Sequence, residues 1–282
     1  MGGRQAASDV DQCAEKAMNN DDVIKYLSEC RCYVHIRQKT NIHTVNIGIT
    51  HKCNLKCVTC NRHVESAPSD DMISIGQIRK FVQESIDCNW PWREIVVYGG
   101  EPTIHPDYFE ILDEIKRLKY ALNIPRCKVV TNGIGKKVND ALDATPECFE
   151  IHRSTELKRT ARNINGKSVI PEFSNILQAP CDRIRGLIFD CQMHATCGLE
   201  LTPYGFLPCS CGGARVVGLN VFFKQLSDVT IDECKKRLKT ICAICGDNIN
   251  YEIKCKHGTE PSKFWKRALS EYADSKPKLK RY

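Results

Sequence analysis

Three cysteines, Cys53, Cys57 and Cys60, fall within the stretch CNLKCVTC. One loop can wrap three thiolates at that spacing around a single centre. A structural zinc site takes four protein ligands. A cubane [4Fe–4S] cluster has four irons, and three thiolates leave the fourth open to a small molecule. The triplet therefore points to an open iron–sulfur centre. A zinc site completed by His51 or His63 is the competing reading.

The stretch YGGEPTIHP (98–106) follows one predicted strand later. Gly99 and Gly100 carry no side chain, so the backbone can approach a ligand there. Glu101 stands beside them, followed by Pro102. Carbonyls and a carboxylate at such an edge can hold an ammonium group. Taken alone, this stretch is also a tight turn before a helix.

Regular elements must position these residues. TVNIGIT (44–50) reads as a strand that ends at the cysteine loop. SIGQIRKFVQESI (74–86) has helical apolar spacing. REIVVYGG (93–100), CKVVTNG (127–133) and CFEIHRS (148–154) read as further strands. Residues 105–122 and 136–144 read as helices between them. This alternation predicts a parallel sheet with helices outside. Residues 1–40 read as a short helical lead-in and RSTELKRTARNINGKS (153–168) as polar and unassigned, while GLIFD (186–190) could be a fifth strand.

The chain has 18 cysteines in 282 residues. Disulfides are disfavoured in a reducing compartment, and a chain this long needs no staples, so metal binding is the simplest use for many of them. Cys88, Cys127 and Cys148 lie in apolar contexts and read as core. A second group crowds the last third, with Cys191, Cys197, Cys209, Cys211, Cys234, Cys242, Cys245 and Cys255. LELTPYGFLPC (199–209) reads as a hairpin, and TIDECKKRLKTICAICG (230–246) as a helix running into a CxxC pair. A hairpin cysteine and a distant CxxC can close a four-thiolate site for zinc or a second cluster.

Apolar runs are too short to cross a membrane, and the start lacks the apolar core of a signal peptide. Ala6 stands where a myristoylation signal wants Ser or Thr. A cytoplasmic location is expected. The net charge is +7, with much of the excess in KFWKRALSEYADSKPKLKRY (263–282). That balance suits phosphorylated or nucleic-acid partners, though a solvated basic tail is the simpler reading.

Together, the CxxxCxxC and GGEP motifs resemble those of the radical SAM superfamily, over about residues 44–190. The resemblance implies a partial (β/α)6 barrel with a cluster on Cys53, Cys57 and Cys60. S-adenosylmethionine (SAM) would chelate the open iron, with Gly99, Gly100, Glu101 and Pro102 at its amino group. One-electron cleavage would give methionine and a 5′-deoxyadenosyl radical that abstracts hydrogen from a C–H bond. Thr131 and Asn132 hold the place of the family's ribose contact, and Arg153 or Ser154 that of its carboxylate contact. Thr59 departs from the aromatic residue often found before the last cysteine, which loosens the adenine contact.

CGLELTPYGFLPC (197–209) resembles the hairpin of SPASM and twitch extensions. The single later CxxC fits the shorter twitch form, which implies one auxiliary [4Fe–4S] cluster on Cys191, Cys209, Cys242 and Cys245, with Cys197 a rival for the first place. Zinc is the alternative occupant. The expected domains are a lead-in (1–43), the barrel (44–190), a Cys-rich auxiliary domain (191–258) and a basic tail (259–282).

The resemblance implies a small polar substrate, such as a sugar, cyclitol or nucleotide-like compound, and a reducing partner of the flavodoxin or ferredoxin kind. Oxidation is one outcome. Epimerisation is another and would need a thiol to return hydrogen, for which Cys211 or Cys197 is the candidate. A peptide maturase, an RNA or nucleotide modifier and a non-catalytic iron–sulfur protein are the other readings.

Overall fold

The computed structural model describes residues 25, 32–55, 62, 64, 71–154, 186–189, 191–210, 221–246, 262–275 and 281–282. Its main sheet is built from strands β2 (Thr44–Thr50), β3 (Glu94–Gly99), β4 (Arg126–Thr131), β5 (Glu150–Arg153), β7 (Leu199–Thr202) and β8 (Gly205–Leu207). Their spatial order is β5-β4-β3-β2-β7-β8. All neighbours are parallel except the β7–β8 hairpin. Helices α1 (Ile75–Asp87), α2 (Tyr108–Ala121) and α3 (Lys136–Asp143) connect β2 through β5 in sequence. Each βα unit thus lays the next strand beside the last. That is the winding of a (β/α) barrel rather than of a doubly wound sheet, as expected from the sequence.

Side chains alternate across the sheet. Val45, Ile47, Ile49, Ile95, Val97 and Val129 are fully buried in one core with Ile78 and Phe81 of α1 and Ile111, Leu112 and Ile115 of α2. The opposite face carries Asn46, Gly48, Glu94, Tyr98, Lys128 and Glu200, and so is largely polar. Local signals set the helix starts. Ser74 Oγ accepts from the Gln77 N–H, and Gln77 Oε1 accepts from the Ser74 N–H, a capping box that starts α1. Thr230 caps α4 (Ile231–Ile244) in the simpler one-sided way.

The structure departs from the sequence reading in three places. Within the lead-in, Cys32–His35 forms a strand, β1, rather than helix. The strand at Gly186–Phe189, β6, exists, but it pairs in parallel with β1 in a separate two-stranded sheet. The barrel position beside β2 goes instead to β7, with Val45 opposite Leu199 and Ile47 opposite Leu201. The sheet therefore runs past residue 190, and the hairpin assigned to the auxiliary domain belongs to it.

The third departure concerns residues 281–282, at the end of the stretch read as a solvated tail. Tyr282 packs edge-on against Phe206 at 5.3 Å. Its hydroxyl donates to Glu84 Oε2 at 2.7 Å, and Lys80 Nζ lies 3.8 Å from its ring centre. Arg281 donates to the Met72 carbonyl at 2.6 Å. The rest of the segment that the structure describes is the helix α5 (Lys263–Ser275), whose Phe264, Trp265 and Ala268 are buried. Its charge excess masked an apolar face.

Tyr282→Ala should therefore cost about 2–3 kcal/mol, less than the roughly 3–5 kcal/mol of a fully buried ring because Tyr282 is only partly buried, read as a lower urea midpoint. A change within about 0.5 kcal/mol, typical of a surface site, would show the tail reading to be right. Burial, reinforced by Glu84, pushes the Tyr282 phenol up. Burial pushes Tyr108 up to about 12. Unfolded phenols ionise near pH 10 while these stay protonated, so their stability contribution is full below that pH and declines as pH rises above it. Tyr282→Phe should flatten that decline.

Candidate active site

The C-terminal ends of β2, β3 and β4 share one edge of the sheet, and the three loops leaving it are bonded to one another. The β2 loop carries Cys53. It lies against the GGEP turn through Gly100 N–H to the Thr50 carbonyl at 2.8 Å and Glu101 N–H to the Lys52 carbonyl at 2.9 Å. This contact explains both glycines. A Cβ on Gly99 would lie 2.5 Å from the Thr50 carbonyl oxygen, and one on Gly100 would lie 2.3 Å from that of Lys52. Both are steric overlaps. The close approach read from the sequence is thus made by the chain's own cysteine loop.

Glu101 is fully buried. Its carboxylate accepts from Thr131 Oγ1 at 2.9 Å to each oxygen, from the Asn132 N–H at 2.8 Å and from Thr103 Oγ1 at 2.8 Å. A further, longer bond comes from the Thr103 N–H at 3.3 Å. The side chain assigned to an ammonium group is therefore engaged as a brace between the β3 and β4 loops. Thr131, read as a ribose contact, turns its hydroxyl to this carboxylate for the same reason.

Asn132 closes the circuit back to the cysteine loop. Its Oδ1 accepts from the Ile134 N–H at 2.8 Å, which fixes the amide orientation. Its Nδ2 then donates to Asn54 Oδ1 at 2.8 Å and points at Cys53 Sγ, 3.7 Å away. Asn54 Nδ2 donates in turn to the Ile134 carbonyl at 2.7 Å. Cys53 Sγ also accepts from the Leu55 N–H at 3.4 Å. Two N–H groups directed at one sulfur suit an anionic thiolate. The donor set at Cys53 therefore fits a metal-bound sulfur. Cys57, Cys60, His63 and Thr59 lie outside the described residues.

The remaining candidates are placed as follows. Pro102 is buried and opens a short 3-10 turn. Arg153, half-buried at the end of β5, donates to Asn139 Oδ1 at 2.9 Å and lies against Gly133. Ser154 Oγ donates to the Thr131 carbonyl at 3.2 Å. Both flank the same sheet edge. Cys197 does not. It precedes Gly198, which packs against the Asn41 and Thr44 carbonyls at the start of β2. That is the opposite edge, about 20 Å away along a seven-residue strand, too far for a hydrogen donor at the cysteine loop. Cys211 lies outside the described residues.

Cys209, Cys242 and Cys245 are buried in one apolar cluster with Leu238, Phe264 and Trp265. Cys191 is only partly buried and is not part of that cluster. Among the described residues, no three His, Cys, Asp or Glu side chains converge closely enough to hold a metal ion. Among the described residues, Cys191, Cys209, Cys242 and Cys245 thus do not form a ready-made cage.

Sequence reasoning missed Asn54, Thr103, Arg62 and Glu200. Arg62 lies two residues after Cys60. It donates to Glu200 Oε1 at 2.6 Å and to the Ser210 carbonyl at 2.7 Å, and its guanidinium lies 3.9 Å from the Tyr98 ring centre. Glu200 is fully buried. An acidic residue among the apolar positions of the predicted hairpin, LELT, was the one available signal, since such a group needs a cationic partner when buried.

Residues 47–152 match the family model of the radical SAM superfamily. "Probable GTP 3',8-cyclase" of Methanococcus maripaludis strain C5 is 32% identical over 166 residues, 56% of this chain and 54% of that protein. The human "Molybdenum cofactor biosynthesis protein 1" is 35% identical over 96 residues, 32% of this chain and 14% of its own length. The chain spans about half the length of the first of these. Among solved structures, BtrN in complex with AdoMet and 2-DOIA aligns with a TM-score of 0.42 at 11% identity, over 74% of this chain and 94% of that one. Streptococcus suis SuiB bound to precursor peptide SuiA aligns at 0.30 and 18% identity, over 46% of this chain and 27% of that one. The cysteine loop and the GGEP turn are joined at one edge of a parallel sheet, and the match to the radical SAM superfamily, over residues 47–152, runs through both.

Proposed function

We propose that the chain binds a [4Fe–4S] cluster through Cys53, Cys57 and Cys60 and uses SAM to abstract hydrogen from a small polar, nucleotide-like substrate. The observation that carries this reading is the bonded circuit of three loops presenting Cys53 with two N–H donors on its sulfur. When bound, the cluster supplies the electron that cleaves SAM. The chain's own residues hold the loop and shape the edge beside it. Backbone groups of Gly99 and Gly100 flank the position proposed for the SAM amino group. Glu101 fixes that turn from behind rather than touching the ligand. Arg153 and Ser154 stand at the far side of the same edge, where Arg153 would meet the SAM carboxylate.

The nucleotide-like substrate rests on the name "Probable GTP 3',8-cyclase" carried by relatives such as that of Methanococcus maripaludis, and on the polar sheet face that carries Tyr98, Lys128 and Glu200. A net charge of +7 suits a phosphorylated compound. A low-potential donor of the flavodoxin or ferredoxin kind would supply the electron. Among the described residues no helix is long and apolar enough to cross a membrane. A second metal centre is proposed at Cys209, Cys242 and Cys245, with Cys191 or a cysteine outside the described residues as fourth ligand. No electron-accepting step is assigned to it. The reading of residues 191–258 as a functional unit rests on that centre alone, because β7 and β8 belong to the barrel sheet.

Anaerobic incubation of reconstituted protein with reductant and SAM should yield 5′-deoxyadenosine, and Cys53→Ala, Cys57→Ala and Cys60→Ala should each abolish it. Retained cleavage in all three variants would refute the assignment. Two cubane clusters would give about eight irons per chain, and a triple variant of these cysteines should keep about four; four irons in the parent chain and none in the variant would remove the second centre. Transfer of deuterium from labelled nucleoside triphosphates into 5′-deoxyadenosine tests the substrate class, and no transfer from any of them would overturn it.

Gly100→Val should prevent cluster uptake, because its side chain displaces the cysteine loop. Glu101→Gln keeps the shape but replaces one accepting oxygen by a donor, and should cost about 1.5–3 kcal/mol of stability. Weaker SAM binding by Glu101→Gln with unchanged stability would show that the carboxylate contacts the ligand instead.

A further inference from the structure

The geometry points to Asn132 as a positioning residue that donates an N–H···S hydrogen bond to Cys53 and thereby sets the reduction potential of the cluster. This rests on the reading that Cys53 ligates that cluster. The Asn132 side chain is almost fully buried, at 7% exposure, and every polar atom on it is committed. Oδ1 accepts from the Ile134 N–H at 2.8 Å. One Nδ2 hydrogen goes to Asn54 Oδ1 at 2.8 Å, and the other faces Cys53 Sγ at 3.7 Å. The backbone N–H is held by Glu101 Oε2 at 2.8 Å, so the residue is anchored from behind by a buried carboxylate. The amide cannot turn without breaking several of these bonds at once. It therefore presents a fixed dipole, positive end forward, to a sulfur that also receives the Leu55 N–H at 3.4 Å.

Reduction adds one electron to the cluster, and part of that charge falls on the ligating sulfurs. A donor aimed at such a sulfur stabilises the reduced form more than the oxidised form and raises the potential. The role follows from the alternation of β4. Thr131 points back to Glu101, and the next residue emerges at the cysteine loop, where a short amide reaches sulfur.

The test is an equilibrium redox titration of the reconstituted cluster, followed by electron paramagnetic resonance, with iron content measured alongside. Asn132→Leu should load iron normally and shift the reduction equilibrium toward the oxidised form by about five-fold, the scale of one hydrogen bond. Asn54→Ala removes the loop clamp but leaves the amide facing sulfur, and should stay near the parent value. An unchanged equilibrium in Asn132→Leu, or an equal shift in Asn54→Ala, would overturn the inference. Should Asn132→Leu not load iron, the parent protein labelled with 15N in asparagine side chains decides: a 15N coupling to the reduced cluster supports the bond and its absence rejects it. A Cys53→Ala variant that still assembles a complete cluster overturns the underlying reading, which these titrations tell apart from failure of the bond alone.

Discussion

The buried carboxylate of Glu101 is the constraint on which the rest of the site depends. An ionised group in a low-dielectric interior is costly unless its oxygens are met by donors. Here the donors come from the β4 loop and from its own turn. The carboxylate can be satisfied only when β3 and β4 are in register and their loops are folded. Once it is, the backbone at Gly100 and Glu101 is placed to hold the cysteine loop. The electrostatics of one residue thus fix the relative positions of three loops whose sequences are far apart. A sheet edge offers no such precision by itself, since loops beyond the last ladder bond are otherwise free to wander.

The chemistry was legible in the sequence because its residue types are rare and closely spaced. Cys53, Cys57 and Cys60 announce a metal, and GGEP a turn with a task. The alternation of β2 through β5 with three helices was equally clear, because strands rich in Val and Ile and helices with apolar residues at helical spacing follow one another in a regular order. What the sequence did not carry was the partner of each feature. The glycines were read as space for a ligand, and the structure fills that space with the Thr50–Lys52 backbone. Asn132 was read toward a ribose, and it faces Cys53. Spacing reports that a side chain is small or polar, not which distant atom it meets.

Pairing of strands was illegible for a related reason. GLIFD and LELT are both short apolar runs, and nothing in either says which will lie beside β2. The β7–β8 hairpin takes that place and β6 pairs with β1. The cysteine group of the last third suffers from the same limit. A CxxC and a hairpin cysteine were read as one cage, and the structure brings Cys209, Cys242 and Cys245 into a common cluster that no fourth ligand closes among the described residues. Tyr282 shows the converse, a residue hidden by its company. A run of lysines suggested solvent, while the aromatic ring at position 282 sits against Phe206.

Arg62 has a consequence for how the two cysteine groups behave together. Its guanidinium is shared between Glu200, the Ser210 carbonyl and the Tyr98 ring, and it lies two residues beyond Cys60 and beside the segment between Cys209 and Cys211. A rigid planar cation held on three sides does not yield on one side alone. The positions of Glu200 on β7, Ser210 beyond β8 and Tyr98 on β3 are therefore tied together through one side chain. Whatever displaces Ser210 or Glu200 is felt at Arg62, and the reverse holds equally, since such coupling is reciprocal.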